Sequence, residues 1–380
     1  MQRTSKLPNV GTTIFTVMSA LANEHGAINL SQGFPNFPSP ERLSGLVCQY
    51  MKKGYNQYAP MAGVPILRER LAEKAQRLYG ASIDPNTEIT ITAGATQAIF
   101  TAIAAFVGSG DEVILIEPAY DSYRPSIEVN GGVPVPYELS APDYRVDWAA
   151  LDRLVTTRTR MIIINTPHNP TGTILKAEDL QALEKLTAGT DILVLSDEVY
   201  EHLIYDGQPH QSVLRYSGLW ERSLATYSFG KTFHNTGWKI GYCLAPAHLT
   251  AEFRKVHQFN VFSVNTPMQY ALADYLADPE TYLGLNAFYQ QKRDFFLDMM
   301  RGSRLRPLHC EGTYFYLFDY SAISDEPDTQ FAKRMTTEWG VAAIPVSVFY
   351  SNGCKDKVIR LCFAKTEETL ERAGELLRKM

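Results

Sequence analysis

The sequence predicts an α/β protein, a mainly parallel sheet with helices on both faces plus a smaller α+β unit. Three observations predict it. Short apolar runs recur: EVILI (112–116), RMIIIN (160–165) and DILVLS (191–196). Strands covered on both faces read this way, because neither side meets water. Helix-period stretches separate these runs, which is the alternation of a parallel sheet. Finally, several runs end in polar or glycine-containing turns, TAGAT, NTPHNPTG, SDEVY and SFGKT.

From about residue 66, a helix period runs through Ile66, Leu67, Arg70, Leu71, Lys74, Ala75 and Leu78. EITIT (88–92) follows as a strand, and the apolar stretch after Gly94 as a helix. Residues 178–186 form the helical stretch before DILVLS, and SLATYS (223–228) is the strand that leads into SFGKT. Beyond about residue 276 the texture changes. A long amphipathic helix is expected over residues 282–300, a strand at TYFYLFD (313–319), a helix over 330–339 and a strand at VIRLCF (358–363).

Composition narrows the function. A chain of 380 residues at roughly 150 per domain suggests two or three units. With 45% hydrophobic and 20% charged residues it is neither disordered nor fibrous. Lys plus Arg at 36 against Asp plus Glu at 41 gives a net charge of −5 without a basic run, which argues against a nucleic-acid partner. No apolar stretch follows the first basic residues, and the longest apolar run (98–107) is broken by Thr101, so neither a signal peptide nor a membrane span is expected. The 5 cysteines show no two-residue spacing, which reads as reduced thiols in the cytoplasm. The 8 histidines form no spaced set, so no metal is expected, and the absence of GxSxG removes support for a serine hydrolase.

In open α/β sheets, ligands bind at the carboxyl ends of strands, where the polar turns lie. Gly94, Ala95 and Thr96 open a helix whose free amides can hold a phosphate, or Thr96 is simply a cap. SFGKT carries the end of a P-loop, but Ala225 stands where that motif needs glycine. Lys231 is therefore a surface lysine or a carbonyl-trapping nucleophile. Asp197 is a turn former, or a carboxylate that needs a cationic partner if buried. Asn169 is a plausible turn residue between His168 and Pro170, and Arg360 is an edge-strand residue or an anion clamp. Taken together, the turns ask for one ligand with a phosphate, a ring nitrogen and a carbonyl. Pyridoxal 5'-phosphate is such a ligand.

The stretches NLSQGFPNF, NQYAP, TAGAT, NTPHNPTG, SDEVYE, SFGKTF with TGWKIGY, and IRLCFAK occur in this order. In them the chain resembles the class I aminotransferases of fold type I along nearly its whole length, nearest to the methionine, kynurenine and glutamine branch. The resemblance implies ping-pong transfer of an amino group from an L-amino acid to a 2-oxo acid. It makes Lys231 the cofactor-bearing lysine and pairs Asp197 with the ring nitrogen. Tyr200 and Asn169 are implied as partners of the phenolic oxygen, and Tyr120 as the aromatic on the ring face. The phosphate falls to the Gly94 turn, the amides of Ala95 and Thr96, Ser228, Lys239 and, from a second subunit of a homodimer, Tyr58. Gly33, Asn169 and Arg360 are implied as holders of the substrate α-carboxylate.

Phe15 aligns with a side-chain-pocket aromatic, with a core phenylalanine as the other reading. Lys239 stands where the aspartate branch has arginine, and no second arginine for an acidic side chain can be identified, so an apolar, sulfur-containing or aromatic substrate is expected. A cysteine-S-conjugate β-lyase on the same site is the alternative. A regulator that senses the cofactor is a further one, disfavoured because LSQGFP leaves no length before it for a DNA-binding domain. The resemblance also implies two units, one over 46–275 and one that combines 1–45 with 276–380.

Overall fold

The computed structural model describes residues 5–380. The first four residues, at the head of the stretch read as leader-free, lie outside the described residues. A 7-stranded sheet forms the larger layer, in the order Ile89–Thr92, Gly241–Leu244, Ser223–Ser228, Leu193–Asp197, Thr159–Asn165, Glu112–Glu117, Val133–Glu138. All its pairings are parallel except those of Gly241–Leu244, which runs antiparallel to both neighbours. The α/β expectation with a mainly parallel sheet therefore holds.

Successive strand residues point to opposite faces. Val113, Leu115, Met161, Ile163 and Leu195 join the helices Ala95–Phe106 and Ala247–Asn260 in one buried layer. Their neighbours Ile114, Ile116, Ile162, Ile164 and Val194 join Leu67, Leu71, Leu180, Leu183 and Leu272 on the other. Each such aliphatic side chain contributes about 1.5–3 kcal/mol on full burial, so the strand ends are held from both sides.

The second sheet has four antiparallel strands in the order Ile344–Pro345, Val358–Cys362, Phe315–Asp319, Arg306–Pro307. Its aromatic core, with Tyr314, Phe315, Phe318 and Phe331, also takes in Leu30, Tyr200 and Tyr205. Ile28–Asn29 pairs in parallel with Val341–Ala342, which ties the N-terminal stretch to the C-terminal part. The helix expected over 282–300 is two: Glu280–Leu283 and Leu285–Met299, meeting at Gly284, which ends one and opens the other. Arg360 pairs with Leu317 on one side and Ile344 on the other, so its strand is interior and the edge-strand reading gives way. No helix among the described residues is long and apolar enough to cross a membrane.

Candidate active site

A cavity of about 290 Å³ opens where the strand ends of the large sheet face the smaller one. Of the residues singled out in the sequence, Phe15, Gly33, Ala95, Thr96, Tyr120, Asn169, Asp197, Tyr200, Ser228, Lys231, Lys239 and Arg360 line it. Gly94 lies just behind this wall, and Tyr58 lies apart from it. Tyr58 is 81% exposed and packs edge-on against Phe262, beside a separate groove that includes Ser263–Met268.

The floor is made by strand ends. Asp197 closes the strand Leu193–Asp197, is 4% exposed, accepts from the Tyr123 hydroxyl at 2.6 Å and from the Val199 amide at 3.3 Å. Burial raises its pKa to about 6, against the pull of those bonds. Among the described residues it has no ion-pair partner within 4.0 Å. The cationic partner expected for a buried Asp197 is thus missing among the described residues, which suits a protonated ring nitrogen.

Lys231 sits in the short helix Phe229–Thr232 directly after the strand Ser223–Ser228, so the SFGKT segment is helical and not an open glycine turn. Its Nζ donates to the Gly33 carbonyl at 3.1 Å and to the Tyr314 hydroxyl at 2.9 Å. Burial pushes its pKa down to about 8, and the charges of Arg360 and Lys239 act in the same direction. Tyr200 is buried with its ring centroid 5.7 Å from Nζ. Burial raises the Tyr120 phenol as well.

On one wall the helix Ala95–Phe106 begins after Gly94, whose φ of +82° is strained for residues with a side chain. Gly94 is the cap residue, with no side-chain bond. Thr96 is the second helical residue and not the cap it was alternatively read as. The first amides are therefore left for an anion. A Cβ on Gly94 would stand 3.4 Å from Lys239 Nζ, which places the ammonium at this turn, and Ser228 lines the same cavity.

Arg360 crosses from the smaller sheet, 1% exposed. Its Nη1 donates to Asn169 Oδ1 at 2.7 Å and its Nη2 to the Ser31 carbonyl at 3.0 Å, while Nε is buried without a partner. The guanidinium lies 3.8 Å from the Phe315 ring centroid, with Phe15 at 5.4 Å and Phe349 at 5.8 Å. Burial lowers its pKa to about 10. A buried guanidinium with a free donor suits a carboxylate. A Cβ on Gly33 would lie 2.6 Å from Phe315, so only glycine lets this loop close over the ring.

Sequence reasoning missed the residues that hold these groups. Tyr123 anchors Asp197. Asn165 donates to the Asp197 carbonyl at 2.8 Å and accepts from the Asn169 amide at 2.8 Å. Its place at the strand end, opening NTPHNPTG, was the available signal. Tyr314, Phe349 and Tyr350 are candidates for the pocket that nothing in the sequence places; the first two touch the site through Lys231 and Arg360, whereas the Tyr350 hydroxyl is turned to the Leu139 carbonyl. Among the described residues, no group of three His, Cys, Asp or Glu side chains could hold a metal ion. The set does fit pyridoxal 5'-phosphate: a buried carboxylate without a cation, a desolvated amine, and a helix N-terminus backed by a hydroxyl and an ammonium.

The family model for aminotransferases of class I and II matches residues 26–377. The methionine aminotransferase of Escherichia coli (strain K12) is 54% identical over 377 residues, covering 99% of this chain and 98% of that protein. Kynurenine–oxoglutarate transaminase 1 of Homo sapiens is 37% identical over 395 residues, covering 94% and 93%. Among solved structures, that of Escherichia coli YbdL, reported to identify a methionine aminotransferase function, superimposes with a TM-score of 0.98 at 54% identity, covering 100% of both chains.

Proposed function

The chain belongs to the class I and II aminotransferases, enzymes of pyridoxal 5'-phosphate, and from that premise we propose that its amino donor is methionine or another apolar or aromatic L-amino acid. A 2-oxo acid is the acceptor, in ping-pong exchange. The observation that carries this reading is the convergence of Lys231, Asp197 and Arg360 on one cavity that Phe15, Tyr120, Tyr200 and Phe315 also line.

Bound there, the cofactor supplies a ring that takes up the electrons released at the substrate α-carbon. Asp197 holds the proton on the ring nitrogen, and Tyr200 and Asn169 hold the phenolic oxygen. Tyr120 covers the ring face. The amides of Ala95 and Thr96, presented by the Gly94 turn, hold the phosphate with Ser228 and Lys239. Arg360, Asn169 and Gly33 orient the substrate by its α-carboxylate. Lys231 anchors the cofactor, and its Nζ moves the proton at the α-carbon; a pKa near 8 leaves a useful neutral fraction of the amine at physiological pH.

The side-chain preference rests on Phe15, Phe315 and Phe349 around Arg360. Arg360 is the one arginine among the described residues that line the cavity, so the lining from this subunit offers no second guanidinium to an acidic side chain. The two relatives named above, a methionine and a kynurenine enzyme, support the same preference. The exposed Tyr58 belongs, on this reading, to a homodimer in which it reaches the partner's phosphate site. The larger unit is 46–275 and the smaller one 1–45 with 276–380. Five cysteines without a disulfide favour the cytoplasm.

A panel of L-amino acids and 2-oxo acids, together with a cysteine S-conjugate, tests the proposal. Transfer from methionine and aromatic amino acids above transfer from aspartate supports it. Pyruvate and ammonia from the conjugate without transfer from methionine overturns it in favour of β-elimination.

A further inference from the structure

Tyr314 immediately precedes the strand Phe315–Asp319 and is fully buried. Its ring stands edge-on to Tyr200 at 5.2 Å and to Phe315 at 4.9 Å. Its hydroxyl donates to the Gly33 carbonyl at 2.5 Å and accepts from Lys231 Nζ at 2.9 Å. Nζ also donates to that carbonyl, at 3.1 Å. Burial holds the Tyr314 phenol well above its ordinary range, so the hydroxyl keeps its proton. That proton is committed to Gly33, and the oxygen can offer Lys231 only a lone pair.

A neutral amine has two N–H bonds and one lone pair. Here two acceptors, the Tyr314 hydroxyl and the Gly33 carbonyl, stand 2.5 Å apart on one side of Nζ and draw the N–H bonds to that side. At a tetrahedral nitrogen the lone pair is then directed away from both. Gly33 belongs to the loop assigned to the substrate carboxylate, and Tyr314 leads into the strand Phe315–Asp319, which pairs with the Arg360 strand Val358–Cys362, so the orientation of the base is tied to the seating of the substrate.

We propose that Tyr314 is a positioning residue for the lysine base: with the Gly33 carbonyl it draws the N–H bonds of neutral Lys231 to one side and leaves the lone pair to take the proton from the substrate α-carbon. In that step the α C–H bond breaks and an N–H bond forms. Lys231 becomes an ammonium that retains its two original partners, and the bound cofactor would supply the sink for the electron pair left on carbon. The inference rests on the assignment of Lys231 as the base, and it adds a residue that no part of that assignment requires.

The test uses Tyr314→Phe, which keeps the ring and its aromatic contacts. Single-turnover reaction of the cofactor-loaded protein with L-methionine is expected to slow by about tenfold or more, with a larger isotope effect for α-deuterated methionine and a cofactor dissociation constant close to wild type. A second readout avoids turnover: the titration of Lys231 in cofactor-free, side-chain-labelled protein, assigned by comparison with Lys231→Arg. Loss of an acceptor that favours the ammonium lowers the midpoint by about half a unit, while Asp197, Arg360, Lys239 and Cys362, the other titratable groups acting on Nζ, stay as they are.

Tyr289→Phe is the control. It removes a neighbouring buried hydroxyl, bonded to His234 at 2.9 Å with its ring 6.0 Å from that of Tyr314, and leaves all three readouts at wild type. Wild-type rate, isotope effect and titration in Tyr314→Phe would overturn the proposal. A slower rate with an unchanged isotope effect and weakened cofactor binding would overturn it too, because it would mean a packing role. If Lys231→Ala turned over like wild type, the broader reading would fail instead, so the two failures are distinguishable.

Discussion

Replacing Arg360 by lysine keeps the positive charge and removes the fork. The two terminal nitrogens of Arg360 are already aimed by Asn169 at 2.7 Å and Ser31 at 3.0 Å, and its guanidinium carbon lies 3.8 Å from the Phe315 ring centroid. A lysine delivers one ammonium, cannot stack as a plane, and leaves the Asn169 or the Ser31 oxygen without its donor in a site that is 1% exposed. The loss of one hydrogen bond to a charged group costs about 1.5–3 kcal/mol, which is roughly a 10- to 150-fold fall in kcat/KM. Because every substrate shares the α-carboxylate, the fall should be similar for methionine, phenylalanine and the 2-oxo acids. Steady-state kcat/KM over that panel, measured for Arg360→Lys and wild type, is the assay. A variant within about twofold of wild type, or a loss confined to one substrate, refutes the reasoning that Arg360 holds the shared carboxylate.

Burial raises Asp197 to about 6, well above the ordinary carboxylate range, so ionising it weakens the cofactor-free fold. The unfolded chain releases this proton at lower pH than the folded one, and stability falls as pH rises between those values and stays reduced above them. Asp197→Asn should therefore raise the melting temperature of cofactor-free protein at neutral pH while slowing the methionine half-reaction by about a hundredfold; an unchanged melting temperature contradicts this. Lys74 and Glu201 form an ion pair with side chains only 6% and 3% exposed. Lys74→Met leaves that carboxylate buried without its cation and should cost about 3–5 kcal/mol in urea unfolding, and a cost under about 1 kcal/mol would place the pair among weak surface contacts. Tyr58→Ala should weaken cofactor binding in a protein that sediments as a dimer, whereas an active wild-type monomer would remove Tyr58 from the site.

The large sheet was legible because strands at 112–116, 160–165 and 191–196 are covered on both sides and so carry polar residues only at their ends. Val133–Glu138 escaped notice because it is an edge strand with prolines at 134 and 136, a placement that sheets tolerate at an edge. The break at Gly284 was hidden by an amphipathic period that runs through both helices. The reactive groups themselves were visible, since they stand at strand ends in polar turns. Their supports were not: Tyr123 meets Asp197 across 74 residues and Tyr314 meets Lys231 across 83, and periodicity describes one element at a time. For the same reason the sequence left Arg360 between an edge residue and a clamp. Pairing on both sides of its strand is a property of the folded sheet.

Nitrogen tracing tests the central claim most directly. Cofactor-loaded protein is given L-methionine labelled with nitrogen-15 and an unlabelled 2-oxo acid, with Lys231→Ala run beside it. The label should appear in the new amino acid mole for mole with the 2-oxo acid formed from methionine, without labelled ammonia, and Lys231→Ala should transfer almost none. Label in ammonia, or transfer by Lys231→Ala at the wild-type rate, would contradict amino-group exchange through this lysine.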